Sequence, residues 1–229
     1  MRNLVDERPT RDLHGRLAWS RSFVAPTDCA DRDILDLGCG FGWFELLALD
    51  GGARAVTGVE PTEADLATVR EHLDDERLTF TVASALALPF DDESFDTIVC
   101  WEVLEHLPKH GEPQAFREIR RVLRPGGALY LSTPHAALLP KLTDPAWWLI
   151  GHRHYSRERL ARFAEDAGLA VERLEAKGRS WEIVQTLDLY VAKWIFRRSP
   201  FFAEAVQARV DREWKQPGFT NLFLACRKP

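Results

Sequence analysis

A glycine-rich loop directly after an apolar run is the first feature of this sequence that could do chemistry. Residues 34–37 predict a strand, the loop Gly38-Cys39-Gly40-Phe41-Gly42 follows, and residues 43–49 have the apolar pattern of a helix. Glycines let a ligand approach the backbone closely, and the first turn of a helix offers N–H groups that have no partner within the helix. This order of strand, loop and helix is typical of a nucleotide-binding site.

An acidic residue stands where such a site needs one. Residues 55–59 predict the second strand, Glu60 ends it, and Pro61 opens the next helix. A carboxylate there can accept hydrogen bonds from both ribose hydroxyls of an adenosine ligand. The third glycine of a dinucleotide-binding G-x-G-x-x-G loop would fall on Trp43. The spacing therefore disfavours NAD, and an NAD-dependent oxidoreductase is kept only as an alternative.

The elements that position these residues alternate between strands and helices. Five further apolar runs predict strands at residues 78–83, 95–101, 128–133, 169–174 and 220–226. Helical patterns separate most of these runs. The alternation predicts an α/β fold with a Rossmann-like, doubly wound sheet, contained in one domain over residues 1–229.

Composition excludes several classes of protein. The chain has 229 residues, a net charge of −5 and 45% apolar residues, which fit a globular protein and give no general attraction to nucleic acid. No apolar run approaches the roughly 18 residues of a membrane-spanning helix, and the first residues lack the apolar segment of a secretory signal. Cys29, Cys39, Cys100 and Cys226 show no paired spacing. We therefore expect free thiols and a cytoplasmic protein, with Cys39 and Cys100 as small buried apolar residues.

Taken together, the motifs resemble those of the class I S-adenosylmethionine-dependent methyltransferases. The resemblance is strongest to the branch that includes ubiquinone and other small-molecule methyltransferases. The matching pieces lie in the family's order between residues 34 and 133: Asp36-x-Gly38-x-Gly40-x-Gly42, Glu60, Leu88-Pro89-Phe90 with Ser94-Phe95-Asp96, Leu104-Glu105-His106, and Arg121-Val122-Leu123-Arg124-Pro125-Gly126-Gly127. The resemblance implies a seven-stranded sheet with an antiparallel last strand. It also implies that S-adenosylmethionine is the cofactor and S-adenosylhomocysteine the product.

The family pattern implies which residues bind this cofactor. They are Asp36, Gly38 and Gly40 at the methionine end, Glu60 and Pro61 at the ribose, Ser84, Ala85 and Leu86 at the adenine, and Trp101 and Glu102 beside the sulfonium. Many family members have an aspartate where this chain has Ser84. A serine hydroxyl accepts less strongly from the adenine amino group, so the contact to the ribose is better defined than the contact to the adenine.

The acceptor of the methyl group is expected to be a small molecule, methylated at a hydroxyl oxygen. A hydroxyl must lose its proton to a base, and we expect His106 or His152 in that role, with His135 and His154 as alternatives. Superfamily members that methylate nucleic-acid bases carry a Pro-Pro-aromatic motif after the fourth strand, where this chain has Cys100-Trp101-Glu102. We therefore expect no nucleic-acid partner.

A second interpretation applies to Glu102-x-x-Glu105-His106. These residues would lie near one face of a helical turn, and some relatives of this branch use such a cluster to hold a divalent cation. The sequence Leu-Glu-His is also frequent in family members that bind no metal. We expect no metal here, and name Glu102, Glu105 and His106 as the ligands if a cation is present.

Residues 134–155 and 178–218 interrupt the alternation, and we expect them to be helical lid insertions on the acceptor side. Residues 1–32 are expected to form an N-terminal cover segment. Five of the tryptophans follow residue 146: Trp147, Trp148, Trp181, Trp194 and Trp214. Residues 134–229 carry an excess of basic side chains, whereas residues 1–133 carry an excess of acidic ones. These features indicate an acceptor with an aromatic or apolar body and an anionic group.

Several alternatives stay open at this point. The acceptor could be a saccharide, a lipid-linked glycan or a quinone-like lipid, and the chain could be a non-catalytic cofactor-binding subunit. A homodimer is compatible with the apolar helices. The segment around Arg197-Arg198 is basic and aromatic, but two charges anchor a protein weakly, so we expect no peripheral membrane contact.

Overall fold

Seven strands form one mixed sheet in the computed structural model, which describes residues 8–144, 147, 151–198 and 200–229. The strands are β1 (Asp33–Leu37), β2 (Ala55–Glu60), β3 (Leu78–Val82), β4 (Phe95–Trp101), β5 (Leu123–Pro134), β6 (Ala170–Lys177) and β7 (Asn221–Arg227). Their order across the sheet is β3-β2-β1-β4-β5-β7-β6. Strands β1 to β5 pair in parallel, whereas β7 runs antiparallel to both β5 and β6. The predicted fold class, with its antiparallel last strand, is confirmed.

The helices connect these strands and cover the sheet. They are α1 (Gly15–Phe23), α2 (Trp43–Asp50), α3 (Glu63–His72), α4 (Glu112–Val122), α5 (Leu138–Thr143), α6 (Arg157–Asp166), α7 (Ser180–Tyr190) and α8 (Ala203–Trp214). A π-helical segment, Val191–Phe196, continues α7, and a short 3-10 turn spans Leu104–His106. No helix in the described ranges is both long and apolar enough to cross a bilayer.

Alternation along the strands explains why the sheet has an apolar core on each face. Successive strand residues point to opposite faces, and Leu35 packs in a cluster with Phe116 of α4 and Leu160 of α6. Its neighbour Ile34 packs in a second cluster with Phe23 of α1 and Val210 of α8. Both faces of β1 are therefore buried, as the continuous apolar runs of a parallel sheet require.

The sheet places the two chemical motifs together at the carboxyl ends of its central strands. From β1 the chain proceeds to β2 on one side, whereas β4 lies on the other side of β1. A crevice forms beyond the carboxyl ends of strands where the order reverses in this way. The glycine loop after β1 and Glu102 after β4 therefore lie beside the same crevice.

Strand β5 begins earlier than the predicted residues 128–133. Leu123 pairs with Phe95 and Ala128 pairs with Thr97, so the intervening residues form a bulge. Gly126 has a φ of +76°, and its N–H donates to the Lys228 carbonyl at 2.8 Å. The predicted turn thus exists but lies within the strand. Strand β6 likewise extends beyond residue 174 to Lys177, because β7 pairs with it along that length.

The predicted insertions contain α5, α7, the π-helical segment and α8, and α1 of the N-terminal segment packs against α8. Trp214 is buried in the second core cluster, whereas Trp181 is exposed. Trp148 and the side chain of Trp194 lie outside the described part of the structure. Cys39 and Cys100 are buried, as predicted.

Candidate active site

The glycine loop after β1 lies at the edge of a cavity of about 540 Å³. Gly38 has a φ of +80°, and a Cβ atom there would be 2.5 Å from Cγ2 of Val103. Gly40 has a φ of +55°, but no atom lies within 4 Å of its Cβ position. The N–H of Gly40 donates to Oε1 of Glu60 at 2.6 Å. Open space above Gly40, next to this carboxylate, lets a ligand approach the backbone.

Most of the residues predicted to bind the cofactor line this cavity. The lining includes Gly38, Glu60, Pro61, Ser84, Ala85, Trp101 and Glu102. Asp36, Gly40 and Leu86 are not in the lining. Asp36 is buried behind the loop, and its Oδ1 has no hydrogen-bond partner among the described residues. The Leu86 N–H donates to Oγ of Ser84 at 3.2 Å, so that hydroxyl oxygen is already used within its own turn.

Three acidic residues lie together beside the cavity, and one of them, Glu45 of α2, is not in the sequence prediction. Burial raises the pKa of Glu45 to about 8. Burial, together with the charges of Glu45 and Glu60, raises the pKa of Asp36 well above its ordinary value. Burial also raises the pKa of Glu60. Carboxyl groups held at such cost fit a ligand that carries positive charge, as a sulfonium and an α-ammonium do. The open Gly40 backbone, Glu60 and the unpartnered Asp36 oxygen therefore fit S-adenosylmethionine.

A second cavity of about 370 Å³ adjoins the first. The two cavities share Glu102 and His106 as lining residues. The second cavity is enclosed by helices α5 and α7, through side chains such as Thr143 and Tyr190, and by Arg16 of α1. A molecule in the second cavity would face a ligand in the first across Glu102 and His106.

Glu102 is held in an unusual backbone conformation directly after β4. Its φ is +57°, in the left-handed region that residues other than glycine seldom adopt. Ser132 donates to its Oε1 at 2.6 Å, and Arg16 donates to its Oε2 at 2.9 Å. Asn221 also donates to Oε2, at 3.3 Å. Three donors from separate elements thus stabilise a strained residue between the two cavities.

Two of the four histidines proposed as bases meet in the second cavity. Nε2 of His106 lies 3.3 Å from Nε2 of His152, although the residues are 46 positions apart. Nδ1 of His152 lies 3.1 Å from Oδ2 of Asp144, and an imidazole N–H donates to this carboxylate. The remaining nitrogen of His152 therefore presents its lone pair towards His106. Burial and the neighbouring His152 lower the pKa of His106, which favours its neutral form.

The other two histidines are turned away from the second cavity. Nε2 of His154 lies 2.9 Å from Oδ2 of Asp144, and its Nδ1 lies 3.0 Å from the His135 carbonyl oxygen. The His135 ring itself contacts the Phe219 carbonyl through Nδ1 at 3.0 Å. Neither ring lines the cavity. His154 instead fixes Asp144, and His135 ties β5 to the residues before β7.

The predicted metal ligands are only partly brought together. Ligand atoms of Glu105, His106 and His152 lie within 4.8 Å of one another, and so do those of Asp144, His152 and His154. Glu102 belongs to neither group, because its oxygens accept from Arg16, Ser132 and Asn221. His152 thus takes the place that the sequence analysis gives to Glu102. Oε1 of Glu105 is buried without a hydrogen-bond partner in the described structure, while Oε2 accepts from Thr133.

Arg153 and Tyr155 fix the turn that carries Glu105 and His106. The Arg153 guanidinium donates to the carbonyl oxygens of Leu104 and Leu107 at 2.7 and 2.5 Å. The buried Tyr155 hydroxyl lies 2.9 Å from the Leu104 carbonyl. The segment after residue 150 therefore supplies His152 and also secures the turn that presents His106.

Sequence reasoning missed several residues of the second cavity, of which Arg16, Asp144, Glu182 and Asn221 make polar contacts there. Burial raises the pKa of Glu182 to about 8, and Thr220 donates to its Oε2. None of these residues stands at a spacing from the glycine loop that a motif could reveal. Arg16 lies before β1 and Asn221 begins β7, so only the folded sheet brings them to Glu102.

The methyltransferase domain family matches residues 34–127 of this chain. A probable S-adenosylmethionine-dependent methyltransferase from Mycolicibacterium smegmatis is 35% identical over 144 residues, which cover 63% of this chain and 54% of the relative. The 27-O-demethylrifamycin SV methyltransferase of Amycolatopsis mediterranei is 34% identical over 129 residues, covering 55% of this chain and 45% of that enzyme. The chain spans about half the length of these curated relatives.

A solved structure has the same fold. The crystal structure of an S-adenosylmethionine-dependent methyltransferase from Mesorhizobium loti superposes with a TM-score of 0.65, at 22% identity, and covers 92% of this chain and 96% of its own. At that identity the likeness concerns the fold.

Proposed function

Because the chain belongs to the class I S-adenosylmethionine-dependent methyltransferases, we propose that it transfers a methyl group from this cofactor to a hydroxyl oxygen of a small molecule. The observation that carries the proposal is the junction of the two cavities at Glu102 and His106, with His152 in contact with His106. When bound, the cofactor supplies a methyl group that its sulfonium has already activated. The protein must then orient the acceptor and remove its proton.

His152 is the base in this proposal, and Asp144 is its positioning residue. The Asp144 carboxylate accepts from Nδ1 of His152, which leaves the lone pair of Nε2 facing Nε2 of His106, and in this proposal the acceptor hydroxyl replaces that contact between the histidines. When Nε2 takes the acceptor's hydroxyl proton, the same carboxylate stabilises the imidazolium that forms. His154 contacts the same oxygen of Asp144 and keeps the carboxylate in place. His106 lines both cavities and orients the hydroxyl beside His152.

The acceptor cavity favours an uncharged, hydroxyl-bearing molecule over the anionic one that the charge distribution indicates. Arg16 is the one lysine or arginine in the described lining, and it is bonded to Glu102. Burial raises the pKa of Glu105 and raises that of Glu182 to about 8, which favours the neutral form of both carboxyl groups. Asp144 lies between two histidines. The described lining thus offers hydrogen-bond donors and acceptors, but its arginine is already paired and is not available to bind an anionic acceptor.

A hydroxyl oxygen as methylation site has support from one relative. The Amycolatopsis mediterranei enzyme is named for a 27-O-demethylated acceptor, and it is 34% identical in the region that aligns. The polar lining and Tyr190 also suit a saccharide, with hydroxyl groups bonded at their edges and a ring face on the aromatic side chain. We therefore place a hydroxyl-rich acceptor, such as a saccharide, ahead of a quinone-like lipid head.

Formation of S-adenosylhomocysteine with a panel of glycosides, polyols and phenols tests the proposal. We expect His152→Ala to lower turnover by about 10²- to 10⁴-fold, the contribution of a general base, while affinity for S-adenosylmethionine is unchanged by calorimetry. His72→Ala, at an exposed histidine of α3, is the matched control and should leave both unchanged. Full turnover by His152→Ala, or a product methylated at nitrogen or carbon, would refute the assignment.

A divalent cation at Glu105, His106 and His152 is a second candidate, favoured by the unpartnered oxygen of Glu105. A carboxylate and two imidazoles are a common ligand set for transition metals. Dialysis against a chelator followed by calorimetry with Mn²⁺ or Zn²⁺ separates the two candidates. Binding that Glu105→Gln abolishes, together with turnover lost to the chelator, would favour the cation. Unchanged turnover without metal would leave His152 as a simple base.

A further inference from the structure

The exposed apolar side chains of this protein are concentrated in one part of the chain. Eleven of the twelve exposed large apolar side chains in the described structure fall between residues 138 and 202, and the twelfth is Val82 of β3. We call the exposed apolar side chains of residues 138–142 and 181–202 the apolar face. Scattered exposed apolar residues are ordinary, but a contiguous patch marks a contact surface.

The apolar face lies on α7, on the π-helical segment and on the adjoining helix α5. Val184, Leu187, Val191 and Ile195 follow one another at intervals of three and four residues, so they form a row along α7 and the π-helical segment. Helix α5, which carries three exposed leucines, packs against α7. The exposed leucines of α5 therefore lie on a helix that contacts the helix bearing the row.

Exposed aromatic residues at the end of this row are held outward by a buried acid. Asp188 is 9% exposed, and its two oxygens accept from the N–H groups of Phe201 and Phe202 at 3.1 and 2.8 Å. The Phe196 and Phe201 rings are 5.2 Å apart, and Phe202 remains 60% exposed. A buried carboxylate that bonds this turn makes the exposure of the aromatic rings a fixed feature of the fold.

Two exposed arginines border the apolar face. Arg197 and Arg198 are exposed at the end of the π-helical segment, and the Arg198 guanidinium lies 4.4 Å from the Phe201 ring centroid. The acidic residues of α7 point inward, because Glu182 bonds Thr220 and Asp188 bonds the aromatic turn. Apolar side chains bordered by arginine and free of exposed acid on α7 complement an anionic lipid surface.

We infer that the apolar face docks on a membrane surface containing anionic phospholipid. The aromatic and aliphatic side chains enter the interfacial layer, and Arg197 and Arg198 contact the lipid phosphates. A second copy of this chain fits the face less well, since a symmetric contact would bring two arginine-bearing edges together. Two arginines alone anchor a protein weakly, and for that reason the sequence predicts no such contact. The exposed row along α7 is what the sequence pattern could not show.

Docking in this orientation has a consequence for the acceptor. Helices α5 and α7 expose the apolar face on one side and line the acceptor cavity on the other, through Thr143 and Tyr190. These two helices therefore lie between the acceptor cavity and the docked lipid surface. Provided that the proposed function holds, the acceptor is an amphiphile whose hydroxyl-bearing head enters the cavity while its apolar part stays in the lipid.

Flotation with phosphatidylcholine vesicles, with and without phosphatidylglycerol, tests the docking without any need for turnover. We expect wild-type protein to float with the anionic vesicles, and Phe196→Glu/Phe202→Glu to lower the partition coefficient at least about tenfold. Arg197→Ala/Arg198→Ala should remove the preference for anionic vesicles. Val82→Glu, at the exposed apolar residue away from the face, is the matched control and should float like wild type.

Calorimetry with S-adenosylmethionine on every variant shows whether the cofactor site is folded. Because flotation requires no turnover, loss of docking can then be distinguished from failure of the proposed function. The inference is overturned if wild-type protein floats with neither kind of vesicle. It is also overturned if Phe196→Glu/Phe202→Glu floats like wild type. Light scattering supplies the remaining outcome. A dimer that Phe196→Glu/Phe202→Glu dissociates would assign the face to a second copy of the chain and overturn membrane docking.

Discussion

Replacing Glu45 by glutamine should remove a pH-dependent loss of stability that the acidic cluster imposes on the protein without ligand. Glu45 is 0% exposed, and burial raises its pKa from 4.5 to about 8. The folded protein therefore holds a proton on Glu45 that the unfolded chain releases above about pH 4.5. A carboxyl group whose pKa is raised by folding stabilises the folded state most at low pH. As the pH rises from about 4.5 towards 8, Glu45 therefore lowers the free energy of unfolding by an increasing amount.

The magnitude follows from the difference between the two pKa values. Each pH unit within this window changes the free energy of unfolding by about 1.4 kcal/mol. Between about pH 5 and pH 7, Glu45 alone should lower the free energy of unfolding by about 2.5 kcal/mol. Glutamine has a similar shape and no proton to release, so Glu45→Gln should lack this share of the slope. Asp36, whose pKa burial also raises, accounts for slope that remains.

Urea denaturation of wild type and Glu45→Gln at a series of pH values measures the effect. The fixed cost of burying an amide shifts the variant's whole curve and leaves its slope unaffected, so the difference between the curves is the informative quantity. Glu71→Gln, at an exposed glutamate of α3, is the control and should run parallel to wild type. A difference between Glu45→Gln and wild type that stays constant from pH 5 to pH 7, within about 0.5 kcal/mol, would refute the reasoning.

Three further outcomes follow from the structure. Gly40→Ala and Gly52→Ala both place a Cβ in open space at positive φ. Both variants should therefore lose about 1 kcal/mol of folding stability, measured by thermal unfolding. Only Gly40→Ala should weaken S-adenosylmethionine binding, by tenfold or more in calorimetry. Asp144→Asn should lower turnover about 10²-fold with cofactor affinity intact, and adding it to His152→Ala should lower turnover no further, whereas additive losses would contradict a shared role. Asp28 is buried, but hydrogen bonds from Arg227 and Tyr130 outweigh the effect of burial and lower its pKa. The stability it contributes should therefore be lost as the pH falls below about 4, and the acid limb of thermal unfolding should flatten in Asp28→Asn.

The cofactor side of the site could be predicted from the sequence because its parts are close along the chain. Gly40 and Glu60 are separated by one helix and one strand, and parallel pairing of β1 with β2 brings the ends of those strands together. The order of the strands follows from the family that the motifs identify. Local pattern therefore specifies both the residues and their meeting point, and Glu45 was missed because it occupies an ordinary buried position of α2.

The acceptor side could not be predicted in the same way. His106 and His152 can be singled out by residue type, but their contact spans 46 residues and depends on how the segment after β5 returns over the sheet. Asp144 precedes His152 and His154 by eight and ten residues, intervals that belong to no helix or strand face. A carboxylate in an irregular segment carries no periodic signal. Its role becomes visible only when two histidines are found on the same oxygen.

Charge is where sequence and structure differ most, and the difference bears on the acceptor. The excess of basic residues after residue 133 indicates an anionic acceptor only if those residues surround the cavity. The structure instead leaves Arg197 and Arg198 on the outer surface, while Glu182 and Asp144 from the same half of the chain turn towards the cavity. Burial raises the pKa of Glu182 to about 8, which favours its neutral form, and Glu102 is paired with Arg16. Under the proposed function, such a cavity would select an acceptor by its hydroxyl groups, and the docking inferred above would give Arg197 and Arg198 a separate, anionic surface as their partner.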